Sequence, residues 1–176
     1  MKHLEKKIRS IPNFPKDGIV FRDITSLLHD SEGLRDTVDL TVERWTSKGI
    51  TKIVGIDARG FILGGAVAYK LGVGFLPVRK HGKLPPETIS QKYQLEYGED
   101  VLELSKGFLE PTDKVLIIDD LIATGGTALA SISLVKDVGA TVLGCSFVIN
   151  LPELGGIGKI ENMGIQTFSI CNFPGL

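Results

Sequence analysis

The sequence is poor in the residues that build metal centres and disulfide frameworks. Its 176 residues include only two cysteines and three histidines. Cys145 and Cys171 lie in separate apolar segments without Cys-X-X-Cys spacing, so we expect two buried thiols rather than a disulfide or a metal site. The histidines are scattered and lack the spacing of zinc ligands. Stability must therefore come from an ordinary core, for which the 43% of hydrophobic residues is ample.

A charge excess and a long apolar run are missing as well. The 20 basic and 21 acidic residues leave a formal net charge of -1, which does not favour nucleic acid as a partner. No apolar run approaches the roughly 18 residues of a membrane span, and MKHLEKKIRS at the start is too charged for a signal peptide. We expect a cytoplasmic protein without membrane contact, folded as one domain over residues 1–176.

Strand and helix patterns alternate through the middle of the chain. Short apolar runs predict four strands, at residues 52–56, 73–79, 114–118 and 141–149. Helical spacing between them predicts two helices, at residues 60–72 and 127–138. An earlier helix begins at Asp30 or Ser31, carries Trp45 on its apolar face and ends by Gly49. Two strand–helix–strand units of this kind predict an α/β fold with a mostly parallel central sheet flanked by helices.

Two segments fall outside this alternation. IPNFPKDGIVFRDIT (residues 11–25) contains two prolines and a glycine, so we expect an irregular N-terminal arm or hood over about residues 1–30. HGKLPPETISQK (81–92) also has two prolines and little apolar content, and it predicts a flexible loop. YQLEYGEDVLEL (93–104) predicts a hairpin that turns near Gly98, so loop and hairpin together occupy about residues 79–104.

VLIIDDLIATGGTA (115–128) joins a buried strand to a helix. Its first four residues are all aliphatic, as in a parallel strand covered on both faces, which places Asp119 and Asp120 at the carboxyl end. The following ATGGT offers small residues, unpaired N–H groups at a helix start and two hydroxyls, which suit an anion. It lacks the lysine of a triphosphate-binding loop, so a single phosphate fits better. Two carboxylates beside such a loop suit the hydroxyls of a ribose 5-phosphate.

This stretch resembles the phosphoribosyl-diphosphate-binding motif of type I phosphoribosyltransferases. The arm 11–25, DARGF (57–61), RKHGKLP (79–85) and LEYG (95–98) occur in the order and spacing of adenine phosphoribosyltransferases, so the resemblance covers almost the whole chain. It implies the type I phosphoribosyltransferase fold, with a flexible β-ribbon loop and a small N-terminal hood. The implied reaction belongs to purine salvage: adenine takes the phosphoribosyl group of 5-phosphoribosyl 1-diphosphate, giving AMP and diphosphate.

The resemblance and the chemistry of this reaction assign candidate residues to three parts of a site. The ribose 5-phosphate part comprises Asp119, Asp120, Ala123, Thr124, Gly125, Gly126 and Thr127. The diphosphate part, whose cations neutralise phosphate oxygens, comprises Asp57, Ala58, Arg59, Gly60, Arg79, Lys80, Lys83 and Tyr97. The adenine part comprises Val20, Phe21, Arg22 and Leu151.

The resemblance also implies individual roles. Glu96 is the candidate for proton transfer on the purine and Arg59 for stabilising the leaving diphosphate, so these two are the predicted catalytic residues. Phe21 and Leu151 sandwich the adenine ring. The main-chain groups of Val20 and Arg22 form hydrogen bonds with the edge of adenine that carries the 6-amino group. Mg2+ is the expected cofactor, held mainly by substrate oxygens and water, with no direct protein ligand.

Two other functions stay open at this point. A phosphoribosyltransferase for hypoxanthine, guanine or xanthine shares the entire phosphate site and differs only in the arm and hood. A regulator that senses phosphoribosyl diphosphate without catalysis shares the site too. Such regulators carry an additional DNA-binding module, and this chain has no spare basic domain for one.

Two expectations concern the surface of the molecule. The resemblance implies a homodimer, and the hood and the helix that carries Trp45 are candidate interface elements. GGIGK (155–159) could be mistaken for a phosphate loop, but no strand-to-helix pattern of that kind surrounds it. We interpret GGIGK as a surface turn.

Overall fold

The computed structural model describes residues 1–94 and 98–175. Its strands are β1 (Arg9–Pro12), β2 (Val20–Asp23), β3 (Lys52–Ile56), β4 (Gly74–Lys80), β5 (Thr88–Gln94), β6 (Glu99–Ser105), β7 (Lys114–Ile122), β8 (Thr141–Asn150) and β9 (Gln166–Asn172). Its helices are α1 (Lys2–Glu5), α2 (Thr25–His29), α3 (Ser31–Trp45), α4 (Arg59–Leu71), α5 (Gly126–Asp137) and α6 (Gly156–Glu161).

Seven strands form one sheet in the order β5-β6-β4-β3-β7-β8-β9. The five strands from β4 to β9 in this order are parallel, and β5 and β6 add an antiparallel hairpin at one edge. β1 and β2 form a separate antiparallel ribbon in the N-terminal arm. The α/β class with a mostly parallel sheet is confirmed. The carboxyl ends of β3, β7 and β8 meet at one edge, where open α/β sheets bind ligands.

Helices cover both faces of the sheet, and the central strand shows it most clearly. Val115 and Ile117 of β7 belong to the apolar cluster beneath α5 and α6. Leu116 and Ile118 belong to the cluster beneath α1 to α4. All four side chains are at most 2% exposed, which explains why this strand is apolar at every position. In the described ranges no helix combines the length and apolarity that crossing a membrane requires.

α3 begins and ends where the sequence predicts. The Asp30 carboxylate accepts a hydrogen bond from the Gly33 N–H at 2.7 Å and caps the helix. A short 3-10 turn follows, and Gly49 ends it with a φ of 74°. Trp45 is only 1% exposed and packs within its own chain. The indole therefore belongs to the core, and the part of this helix in a subunit interface stays a prediction.

Two strands are longer than predicted. β7 continues past the aspartates to Ile122, because Leu121 and Ile122 pair with β8 as the preceding apolar residues do. Asp119 and Asp120 therefore lie in the second half of the strand and not at its end. β5 begins at Thr88, within the segment expected to be loop, and pairs in register with β6. An edge strand with one solvent-facing side needs few apolar residues, so composition did not reveal it.

GGIGK lies partly at the surface, as interpreted, but it forms the start of a helix and not a turn. Its last four residues begin α6, and Gly156 at the start of this helix is buried. Gly156 packs against residues 123–125, which lead into α5. A Cβ at Gly156 would lie 2.9 Å from the Gly125 nitrogen, closer than real structures allow. Only glycine permits this approach, so Gly156 marks a close packing contact, whereas Gly155 before it is exposed.

Candidate active site

A cavity of about 390 Å3 lies at the carboxyl edge of the sheet, where β7 leads into α5. Every residue of the ATGGT sequence borders this cavity, and so does Asp119. The full lining consists of Gln94, Asp119, Leu121, Ile122, Ala123, Thr124, Gly125, Gly126, Thr127 and Ala128. We call residues 123–127 the phosphate loop. Asp120 is not part of the lining, and its carboxylate contacts the neighbouring turn instead.

The two aspartates differ in their surroundings. Asp119 accepts a hydrogen bond from the Asp120 N–H at 2.8 Å. Burial of its carboxyl, reinforced by the negative charge of Asp120, raises the pKa of Asp119 well above its usual value. Asp120 is 6% exposed and accepts a hydrogen bond from Arg59, so a cation balances its charge. The site thus holds one compensated and one poorly compensated carboxylate.

The turn at residues 57–60, between β3 and α4, brings a guanidinium to the aspartates. The Arg59 side chain lies between the Asp120 carboxylate and the Phe21 ring, whose centre is 6.0 Å from the guanidinium carbon. Gly60 allows this approach, since a Cβ there would lie 2.7 Å from the Ile118 carbonyl oxygen. α4 therefore starts directly against β7, and Arg59 lies next to both the ribose part and the adenine part of the predicted site.

A second group of cations lies at the end of β4. Arg79 donates to the Asp57 carboxylate at 3.1 Å, and the Lys83 ammonium lies 3.9 Å from the same oxygen. The Asp57 side chain is only 7% exposed, so a buried carboxylate orients the Arg79 and Lys83 side chains. Lys80 forms an ion pair of 3.2 Å with Asp100 on the hairpin. The predicted diphosphate residues 57–60, 79, 80 and 83 thus come together at one end of β3 and β4.

The N-terminal arm reaches the same edge of the sheet. β2 carries three of the predicted adenine residues, Val20, Phe21 and Arg22. The Arg22 guanidinium donates to the Pro174 carbonyl at 3.2 Å and lies 4.8 Å from the centre of the Phe173 ring, which ties the arm to the segment after β9. Leu151 follows β8 and donates its N–H to the Ile122 carbonyl at 3.0 Å. The fold therefore places the arm and Leu151 beside the end of β7.

Glu96 and Tyr97 lie outside the described residues. The nearest described position before them, Gln94, borders the cavity at the end of β5. Its carbonyl oxygen lies 2.9 Å from where a Cβ on Gly126 would stand. The β5–β6 hairpin therefore passes close to the start of α5.

Two residues that the sequence interpretation missed contact the phosphate loop from α6. The Gly156 N–H donates to the Ala123 carbonyl at 3.0 Å, and the Lys159 ammonium donates to the Thr124 carbonyl at 2.8 Å. Both belong to the GGIGK segment. Gly156 was a signal of close packing, but nothing in the sequence shows which part of the chain it packs against.

Comparison with known proteins assigns this arrangement to a class. The family model described as a phosphoribosyl transferase domain matches residues 26–156, which is most of the chain and includes the phosphate loop, the 57–60 turn and the end of β4. The chain has the fold of a phosphoribosyltransferase.

Individual relatives narrow the class. The chain is 51% identical over 172 residues to an adenine phosphoribosyltransferase of Vibrio cholerae serotype O1, covering 98% of this chain and 95% of that protein. It superposes on the adenine phosphoribosyltransferase from Rhodothermus marinus with a TM-score of 0.92 at 46% identity, covering 98% and 97% of the two chains. For the Giardia lamblia enzyme complexed with 9-deazaadenine the TM-score is 0.93 at 36% identity, with coverages of 98% and 97%. The chain belongs to the adenine phosphoribosyltransferase family.

Proposed function

We propose that the protein transfers the phosphoribosyl group of 5-phosphoribosyl 1-diphosphate to adenine, giving AMP and diphosphate, as a purine-salvage enzyme. The observation that carries this proposal is the extent of the similarity to the Vibrio cholerae enzyme. The aligned region covers 98% of this chain, so it includes the base-binding arm as well as the phosphate site. The Giardia lamblia relative, which is complexed with 9-deazaadenine, supports the same choice of base.

The ribose 5-phosphate part binds the sugar and its phosphate. The first N–H groups of α5 have no partner within the helix and, with the hydroxyls of Thr124 and Thr127, donate to the 5-phosphate. The carboxylates of Asp119 and Asp120 accept hydrogen bonds from the two ribose hydroxyls. Their negative charge also stabilises the positive charge that develops on the sugar as diphosphate departs.

The diphosphate part stabilises the leaving group. Arg59, Arg79, Lys80 and Lys83 supply four positive charges near the ends of β3 and β4, and each is oriented by a carboxylate in the described structure. Guanidinium groups bind phosphate oxygens in pairs, while ammonium groups act as point charges. This positive field compensates the charge that builds up on the diphosphate oxygens.

The adenine part reads the edge of the base. Adenine presents an amino donor at the position where hypoxanthine and guanine present an acceptor. A backbone carbonyl paired with a backbone N–H, supplied by Val20 and Arg22, distinguishes the two patterns without a dedicated side chain. Phe21 and Leu151 sandwich the ring. Glu96, which lies outside the described residues, moves the proton on the purine.

The donor groups of the site fit a magnesium ion that is held mainly by the substrate. Among residues 1–94 and 98–175, no three histidine, cysteine, aspartate or glutamate side chains come together as a metal cage. Asp57 and Asp120, the carboxylates nearest the predicted diphosphate, are each bonded to an arginine. Oxygens of the substrate and water would be the main ligands of such an ion, which suits the preference of Mg2+ for oxygen ligands. When bound, the ion neutralises charge on the leaving diphosphate.

The outer face of α4 supports a homodimer. Ile62 is 51% exposed and Tyr69 is 88% exposed, and the small residues Gly65 and Ala66 lie between them at helical spacing. Large exposed side chains in one apolar stripe are typical of a subunit contact. We propose that two copies of the chain associate through this face.

Separate reactions with four bases test the proposed function. The purified protein is incubated with Mg2+, 5-phosphoribosyl 1-diphosphate and adenine, hypoxanthine, guanine or xanthine, and the nucleotides are separated by chromatography. We expect AMP from adenine and no nucleotide from the other three bases. Ribose 5-phosphate in place of the diphosphate is the control, because it binds the same site but lacks the leaving group. A nucleotide formed from hypoxanthine, guanine or xanthine would overturn the base assignment. The absence of product with every base would favour a regulator that senses phosphoribosyl diphosphate without catalysis.

A further inference from the structure

We propose that Lys159 of α6 positions the phosphate loop and thereby strengthens the binding of the 5-phosphate by this loop. This inference rests on the proposed function, because it assigns the 5-phosphate to the loop. It concerns a side chain that does not border the cavity described above but lines a neighbouring cavity of about 450 Å3, together with Thr124 and Gly126.

Three successive carbonyl groups of the phosphate loop accept hydrogen bonds from other parts of the protein. The Ala123 carbonyl accepts from the Gly156 N–H at 3.0 Å, and the Thr124 carbonyl accepts from the Lys159 ammonium at 2.8 Å. The next carbonyl, that of Gly125, accepts from the Leu129 N–H at 2.9 Å within α5. Three consecutive peptide groups therefore have fixed orientations.

Fixing these carbonyls also fixes the N–H groups of residues that line the cavity. In a planar trans peptide the C=O and the following N–H point in opposite directions. When Lys159 holds the Thr124 carbonyl, the N–H of Gly125, a residue that lines the cavity, is turned away from Lys159. Gly156 does the same for the Thr124 N–H through the Ala123 carbonyl. A loop whose donors are already oriented loses less entropy when it binds phosphate.

The charge of Lys159 adds to this orientation. A cation bonded to a peptide carbonyl polarises the peptide group, which makes its N–H a stronger donor. The phosphate loop contains no lysine or arginine, so its own side chains supply no positive charge. Lys159 provides that charge through the peptide bond, without contacting the phosphate. It is therefore a positioning residue for the ligand and not a catalytic one.

Substitution of Lys159 tests the proposal with little risk to the fold, because this side chain is exposed. Lys159→Met keeps the stem and removes the donor and the charge, while Lys159→Arg keeps both. Lys136→Met, at the far end of α5, removes the same charge about 15 Å from the loop and is the matched control. The readouts are the affinity for ribose 5-phosphate by calorimetry, the affinity for diphosphate, the KM values, kcat and the thermal unfolding temperature.

For Lys159→Met we expect affinity for ribose 5-phosphate about tenfold weaker and a comparable rise in the KM for 5-phosphoribosyl 1-diphosphate. The KM for adenine stays at the wild-type value, and so do the affinity for diphosphate and the unfolding temperature. The value of kcat falls by less than about threefold, because the loop is ordered once it is saturated with substrate. Lys159→Arg restores most of the affinity, and Lys136→Met behaves like the wild type.

Three results would overturn the proposal: wild-type affinity in Lys159→Met, an equal loss of affinity for diphosphate, or no recovery in Lys159→Arg. The binding measurement needs no turnover, so it separates this proposal from the proposed function. A wild-type protein that binds ribose 5-phosphate but forms no AMP would contradict the function and leave the test of Lys159 intact. A wild-type protein that does not bind ribose 5-phosphate would overturn both.

Discussion

Asp119 and Asp120 are adjacent in sequence, but their carboxyl groups lie in different electrostatic environments. Arg59 balances the carboxylate of Asp120, whereas Asp119 faces the cavity beside its neighbour's negative charge. The raised pKa of Asp119 means that the folded protein holds this proton more tightly than the unfolded chain does. Stability therefore falls as the pH rises through the folded-state pKa, because an ionised Asp119 is disfavoured by burial and by Asp120.

Asp119→Asn is expected to stabilise the protein and to impair its function. The amide keeps the acceptor for the Asp120 N–H and removes the destabilising charge, so the free energy of unfolding at pH 8 rises by roughly 1 kcal/mol. The gain shrinks as the pH falls, because the wild-type carboxyl then gains its proton. The value of kcat/KM falls about 10- to 100-fold, because a bond between a charged carboxylate and the ribose is lost. Denaturant unfolding at several pH values measures the first effect.

The exposed Asp137, at the end of α5, provides the control for that experiment. Asp137→Asn removes the same charge in water and changes neither stability nor kcat/KM. If Asp119→Asn were less stable than the wild type at pH 8, the electrostatic account of this site would be wrong.

Glu96→Gln addresses proton transfer, a role implied by the sequence for a residue outside the described ranges. We expect kcat to fall by about 100-fold, since general acid–base groups contribute on this scale. The affinity for diphosphate stays unchanged, because Glu96 acts on the purine. Steady-state kinetics and diphosphate inhibition measure the two quantities. Glu99→Gln, on β6 of the same hairpin, is the control, and a wild-type rate in Glu96→Gln would remove this residue from the chemistry.

At the scale of elements, segments with repeated apolar patterns were predictable and segments defined by tertiary contacts were not. β3 and the helix from Ser31 to Trp45 match the sequence prediction because burial on a sheet and a capping aspartate leave local signals. The start of β5 was missed because pairing with β6, not apolar content, makes it a strand. α6 was missed because Gly156, which begins it, is explained only by the phosphate loop against which it packs.

The same distinction applies to the candidate site. The 115–128 stretch is continuous, so its spacing alone predicted the aspartates and the phosphate loop. Lys159 lies 35 residues after Thr124, the residue that it contacts. A contact between parts of the chain so far apart leaves no local pattern to read. The proposed roles of Phe21 and Leu151 likewise came from a family resemblance, since either residue alone would be interpreted as part of the hydrophobic core.

The loop between β4 and β5 is an element whose role as a lid can be tested directly. Its start is anchored, since the buried Glu103 of β6 accepts from the Gly82 N–H at 2.9 Å and contacts the His81 ring at 2.7 Å. Deleting residues 84–86 leaves this anchor and Lys83 in place. We expect kcat to fall by about tenfold or more, because a shortened loop closes the site incompletely. Hydrolysis to ribose 5-phosphate rises relative to AMP formation, since water enters the site.

Gly-Ser-Gly in place of residues 84–86 serves as the length control for this deletion. It keeps the reach of the loop, so it retains more turnover than the deletion does. Circular dichroism checks that both variants fold. Unchanged turnover in the deletion variant would contradict the lid.

At the scale of the whole molecule, α4 connects the proposed interface with the site. Its outer face presents Ile62 and Tyr69, and its first residue is Arg59. Tyr69→Glu places a charge in the proposed contact, so we expect light scattering to show a monomer in place of a dimer. Phe108→Glu changes an aromatic side chain that is 65% exposed and lies outside α4, and it leaves the dimer intact. A dimeric Tyr69→Glu protein would exclude this face as the interface.

The position of the phosphate loop on the chain has an evolutionary consequence. In the proposed site, the phosphoribosyl part lies within fourteen consecutive residues, 115–128, whereas the proposed adenine part is assembled from the arm and the residue after β8. Substitutions in the arm can therefore alter which base is accepted while the sugar-phosphate machinery is inherited unchanged. A lineage can diverge towards new bases through the arm alone, and the 115–128 stretch will be the part that its descendants continue to share.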